Sequence, residues 1–117
     1  MPISTIQIEV KTDEQNIAEE INWESSASPT DAPLQSKAML LAFWDANDQQ
    51  ALKLDLWTKS MMVDEMTDFY FQTLVTMADT YQRATKYDDM ADSLKQFAHS
   101  FYKTFRDKQK KEAEPNS

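Results

Sequence analysis

The side chains best suited to chemistry are few and scattered. His99 is the sole histidine, and cysteine is absent. Thiol nucleophiles, disulfides and thiolate metal sites are therefore excluded. On a helical wheel His99 falls about 140° from Leu94, on the outer face, with Lys95, Lys103 and Arg106 nearby. No serine or second histidine stands in motif relation to it, and a relay needs a third group to orient the base. Acids gather at Glu19/Glu20, Asp64/Glu65/Asp68 and Asp88/Asp89/Asp92. Glycosidase chemistry would need two carboxylates held in a cleft. Acids also collect at helix starts simply because the dipole favours them there. A calcium or magnesium loop offers oxygens at fixed offsets, as in D-x-D-x-D-G. Asp88-Asp89-x-x-Asp92 departs from that spacing. Glycine is also absent, which removes phosphate loops, dinucleotide fingerprints and nucleophile elbows in standard form. The expectation is no catalytic, cofactor-binding or metal-binding residue, and no cofactor.

The aromatics offer more. Phe69, Tyr70 and Phe71 are consecutive, so on a helix they point about 100° apart. With Tyr70 at the centre of a core face, Phe69 and Phe71 flank it, and Val75 lies one turn after Phe71. That broadens the apolar face beyond a single packing contact. Trp44 and Trp57 both come late in strand-like segments, and Trp57 is out of step with the leucines before it. An indole on an outer sheet face is a natural binding anchor. Burial of all these residues within one chain is the simpler alternative. The candidate protein-interface residues are Trp44, Trp57, Phe71 and Val75. They predict an apolar patch of several hundred Å² that includes at least one of them.

The elements that must position these residues follow from periodicity. Ile6, Ile8 and Val10 alternate with polar residues, the two-residue period of a half-buried strand. Thr12–Asn16 is a polar turn, and Ile21 and Trp23 mark a returning strand. Ser25–Gln35, with Pro29 and Pro33, reads as a loop. KAMLLAFW at 37–44 suits a buried helical turn or a buried strand. The polar break Asp45–Asp48 and the alternation of Leu52, Leu54 and Leu56 favour a hairpin, so 37–45 is read as a strand. From Ser60, the expected N-cap, the pattern is helical. Val63, Met66, Tyr70, Leu74, Met77 and Tyr81 form one stripe; Thr85-Lys86 is a break. Tyr87, Met90, Ala91, Leu94, Phe97, Ala98, Phe101 and Phe105 form a second stripe. Acids open this second helix and Lys103, Arg106, Lys108, Lys110 and Lys111 close it, which matches the macrodipole. The fold class is α+β: an antiparallel sheet of about four strands followed by an antiparallel two-helix hairpin. Residues 1–107 are expected to form a single domain and 108–117 a frayed basic and polar tail around Pro115.

Composition sets the outer limits. A chain of 117 residues suits one domain. Its net charge of -8 disfavours phosphate backbones and anionic lipid. The basic end of the second helix is accounted for by its dipole. No charged n-region with a following apolar stretch opens the sequence, and no apolar run approaches the roughly 18 residues of a membrane span. Neither nucleic acid nor direct membrane insertion is expected.

With those elements placed, INWES at 21–25, KAMLLAFWD at 37–45, ALKLDLWTKSMMVDEM at 51–66 and FYFQTLVTMADTYQRAT at 69–85 can be read together. The sequence resembles the gliding motility protein GldC family, from about Ile6 to Phe105. LWTK and TMADTYQRAT are its most distinctive segments, and the tail after Phe105 is longer and more basic than the family suggests. The resemblance implies a bacterial, cytoplasmic accessory protein of a motility apparatus and supplies no reaction. Strands followed by two helices in an acidic chain are also the element order of the export chaperone SecB, an analogy of fold alone. The leading expectation is a noncatalytic scaffold acting by protein–protein binding and open to homo-oligomerisation. The alternatives are an oligomeric chaperone-like binder of unfolded or export-bound chains, or an enzyme of unrecognised class. The enzyme would need a deep pocket of convergent carboxylates near Asp55, Asp64 or Asp68.

Overall fold

Strand periodicity in the first half and helical periodicity in the second produce two compact units, which meet in sequence between Met61 and Met62. The computed structural model describes residues 2–27 and 33–113. The chain is α+β as expected, with antiparallel strands followed by two helices.

In the first unit β1 (Ile6–Thr12) pairs with β2 (Ala18–Ser25), and β2 pairs with β3 (Leu34–Ser36), all antiparallel. The register puts Ile8 opposite Trp23 and Val10 opposite Ile21, so the apolar alternation of the two strands shares one face. Ile21 is the large side chain most completely buried there. The indole of Trp23 donates to Ser36 Oγ at 3.0 Å, which keeps its polar edge satisfied as the ring packs. β3 corrects the loop expected over 25–35: Leu34 and Gln35 extend to pair with Trp23 and Asn22. Pro33 stops short of the ladder, where its missing N–H does no harm. The rest of that expected loop, 28–32 with Pro29, lies outside the described residues.

Lys37 alone separates β3 from β4 (Ala38–Trp44), which pairs with β5 (Ala51–Trp57) as a hairpin. The expected four strands therefore become five, because one long strand is interrupted at Lys37. At the hairpin turn Asp45 Oδ2 accepts from the backbone of Asn47 and Asp48, and Gln49 adopts a left-handed φ of 53°. With no glycine in the chain, such positions fall to polar side chains. Asn16 (φ 63°) plays the same part in the β1–β2 turn.

The second unit is a helix pair, α1 (Val63–Thr85) and α2 (Asp88–Ala113). The N-cap is Met62 rather than Ser60. The Met62 N–H is satisfied by the Glu65 carboxylate at 3.1 Å, the return half of a capping box. Ser60 instead lies 3.3 Å from the Thr58 hydroxyl. α1 ends at Lys86, whose φ of 65° turns the chain as its N–H closes onto the Gln82 carbonyl. α2 stays helical to Ala113, so residues 108–113 continue the helix; the end of the chain with Pro115 lies outside the described residues.

The contact between the helices is built on small residues. Ala78 of α1 and Ala91 and Ala98 of α2 are buried, letting the backbones approach closely. The packed line of α1 thus passes through Thr67, Phe71 and Ala78, rotated from the expected stripe of Val63, Met66, Tyr70, Leu74, Met77 and Tyr81, of which Met66, Leu74 and Tyr81 are half-buried. Val63, Tyr70 and Met77 are exposed, as are Tyr87, Met90 and Phe97 of the α2 stripe. Large side chains at the closest approach would force the helices apart, so alanines win it and aromatics close its sides. Asp79 and Lys95 bridge the pair at 2.8 Å.

Candidate interaction surfaces

Side-chain alternation along β4 and β5 sorts their residues onto two faces. Met39, Leu41, Phe43, Leu52, Leu54 and Leu56 share one, a wholly apolar set. Ala38, Leu40, Ala42 and Trp44 share the other with Ala51, Lys53, Asp55 and Trp57. On this second face Trp44 is 71% exposed and Trp57 61% exposed. Trp44 lies opposite Ala51 and Trp57 opposite Ala38, so the indoles occupy diagonal corners of the hairpin, about 20 Å apart along the strands. Lys53 and Asp55 form an ion pair at 2.9 Å between them.

Phe71 and Val75, the other two candidates, are half-buried on α1. Phe71 packs across the helix pair, its ring centroid 5.2 Å from His99 and 5.1 Å from Tyr102. His99 keeps its expected exposure, and the contact with Phe71 was not legible on a single-helix wheel. Tyr70, expected at the core, instead stacks on Phe101 at 6.5 Å and stays partly exposed. The Tyr81 hydroxyl donates to the sulfur of Met90 at 3.3 Å.

The first unit holds a latch that the sequence reading passed over. Thr58 follows β5 and is buried. Its N–H and its hydroxyl both donate to the Lys37 carbonyl, at 2.7 and 2.9 Å. The next N–H, of Lys59, reaches the Ala18 carbonyl at 3.3 Å. The Lys59 ammonium pairs with Asp13, in the β1–β2 turn, and stands 3.4 Å from Glu19. Asp13 also accepts from the backbone of Ile17 and Gln15. These donors, with Lys59 foremost, lower the Asp13 carboxyl to about 2, and Asp13 in turn raises the Lys59 ammonium above its ordinary value. LWTK carries the two donors of the latch, Thr58 and Lys59, but nothing in that segment points to their acceptors.

Several of the acids that could have served catalysis are engaged locally. Asp64 Oδ1 accepts from the Glu65 N–H, Asp88 accepts from Gln82, and Asp55 holds Lys53. Among the described residues no group of three metal-binding side chains converges. A shallow groove lined by Gln7, Glu9, Asn22, Trp23, Glu24 and Pro33 has a cavity volume of about 50 Å³, far below the roughly 300–1,000 Å³ of ordinary ligand pockets. Among the described residues no helix is long and apolar enough to cross a membrane.

A three-stranded antiparallel sheet, a β-hairpin and a helix hairpin define the chain as a small α+β protein with exposed aromatic side chains. Within that class the particular family is settled by a family model described as gliding motility-associated protein GldC-like, which matches residues 18–107. The chain belongs to that family, and membership associates it with gliding motility. No curated protein and no solved structure matches it.

Proposed function

We propose that the protein is a noncatalytic accessory or scaffold component of a motility apparatus that acts by binding other proteins. The observation that carries this reading is the exposure of Trp44 and Trp57 on one face of the β4–β5 hairpin. Indoles anchor protein interfaces because they desolvate a large rigid area at little entropic cost. Phe71 and Val75 add the exposed edges of half-buried side chains on α1. The reading takes the protein to be cytoplasmic, as the family resemblance implies.

The test is a photo-crosslinking amino acid at position 44, expressed in a gliding bacterium that carries this gene. The expected result is a discrete adduct with a motility component, lost when Trp57 is replaced by Ser. A smear of many unfolded or export-bound chains would instead support chaperone-like binding. Absence of any adduct with another protein would overturn the scaffold reading.

A further inference from the structure

We propose that the Trp44/Trp57 face of the β4–β5 hairpin is where two copies of this chain pair, face to face, about a two-fold axis. The inference rests on the reading that this face binds protein, and it names the first partner.

The argument comes from the register. Leu41 lies opposite Leu54, at the midpoint of the hairpin. Consider a second copy laid over this face, related by a two-fold axis that crosses the strands at that midpoint. The axis reverses the strand direction and exchanges positions equidistant from the centre. On β4 it sets Trp44 against the second copy's Ala38 and Leu40 against its Ala42. On β5 it sets Trp57 against Ala51 and Lys53 against Asp55. Every large side chain of the face meets a small one, and every charge meets its opposite.

That pattern is what an isologous contact requires, since the same patch must complement itself. Packed sheets lie about 10 Å apart and within about 30° of parallel. An indole opposite a methyl group fits that gap, whereas two facing indoles do not. The charges agree: Lys53 and Asp55 leave the face neutral in a chain of net charge -8. Two copies can therefore approach here without juxtaposing their acidic excess, and their four charges alternate in sign. The other face lacks this property. The same operation sets Met39 against Phe43 and Leu52 against Leu56, large against large, so that face does not complement itself even though Phe43, Leu52 and Leu54 are exposed on it. An indole can bury on the order of 150–250 Å², and with Trp44 71% and Trp57 61% exposed the four still have roughly 400–650 Å² in total to lose to the contact. Even with the small residues opposite them added, that lies below the roughly 1,200 Å² of stable specific interfaces, in the range of weak encounters, and the pairing is transient.

Sedimentation velocity on the full chain tests it, over about 1 to 500 µM, the range in which a transient contact dissociates. The wild type should move from monomer towards dimer. Lys53→Asp alone sets acid against acid, and Asp55→Lys alone sets base against base, so each should stay monomeric. An equimolar mixture of the two should recover the dimer, as should the double variant Lys53→Asp/Asp55→Lys by itself. Ala51→Trp, which places two indoles in one slot, should abolish pairing and serves if a charge variant misfolds by circular dichroism. A wild type that stays monomeric throughout overturns the proposal. So does a dimer indifferent to the single reversals, or a mixture that does not recover. The outcome separates from the functional reading: a monomer that still crosslinks to a motility component through position 44 removes the pairing alone. A dimer with no other adduct removes the scaffold role alone.

Discussion

Asp13 and Lys59 are far apart in sequence and joined by the fold, and their titration reports on that join. The Asp13 carboxyl sits at about 2 against an ordinary 3.8, chiefly through the Lys59 ammonium and then the Ile17 N–H. A group whose folded value is depressed contributes stability that is fully present above its unfolded value and is lost as pH falls through its folded value. The Asp13 contribution is therefore whole above about pH 4 and lost between there and about pH 2. Lys59 works in the opposite sense. Its raised value makes its contribution whole below 10.5 and lost as pH climbs through that raised value. Asp13→Asn should lower the urea midpoint at neutral pH, with the variant and wild-type curves converging as pH falls towards 2. Lys59→Gln should flatten the alkaline limb of the same profile. Equal acid slopes in wild type and Asp13→Asn would show that the latch contributes nothing.

Among the elements, the hairpin and the two helices were legible in the sequence because their signals are local. Leu52, Leu54 and Leu56 alternate, Asp45–Asp48 breaks the chain, and α2 opens acidic and closes basic. β3 was not legible, because a three-residue strand beside prolines carries no period and exists only through β2. The packed face of α1 was misplaced for a related reason. Hydrophobicity ranks Tyr70 and Met77 above Ala78, whereas the closest approach of two helices selects for small size. Trp44 and Trp57 were visible as aromatics late in strand-like segments, Trp57 also out of step with the leucines before it. The latch of Thr58 and Lys59 was not, since its acceptors at Lys37, Ala18 and Asp13 are distant in sequence. The helix contact yields a prediction of its own. Ala78 and Ala98 are fully buried at the interhelical seam, so Ala98→Leu inserts volume where none is free. It should cost about 1–3 kcal/mol, read as a lower urea midpoint. Phe97→Leu, at an exposed position on the same helix, should change stability by less than about 0.5 kcal/mol. Equal effects of the two substitutions would mean that the alanines are not the seam.

For the whole molecule, the balance of buried and exposed apolar residues bears on how stability depends on concentration. Among the described residues, the buried apolar set is Ala18, Ile21, Ala78, Ala91 and Ala98, in which Ile21 is the one large side chain. Phe43, Trp44, Leu52, Leu54, Trp57, Tyr70, Met77 and Phe97 remain exposed. Alanine burial contributes little apolar area, so each additional aromatic taken from water has a large effect on the total. If pairing through the Trp44/Trp57 face supplies part of that burial, folding and association are coupled by mass action. The thermal midpoint should then rise with protein concentration. Above the dissociation constant the gain in stability is at most about 0.7 kcal/mol per protomer for each tenfold increase, half of the usual 1.4 because two chains share each association. For a chain of this size that corresponds to a rise of a few degrees. Ala51→Trp should abolish the dependence while leaving the low-concentration midpoint close to wild type, because Ala51 is exposed in the single chain. Differential scanning calorimetry at three concentrations reads both effects. A midpoint independent of concentration in the wild type would mean that the first copy gains nothing from the second.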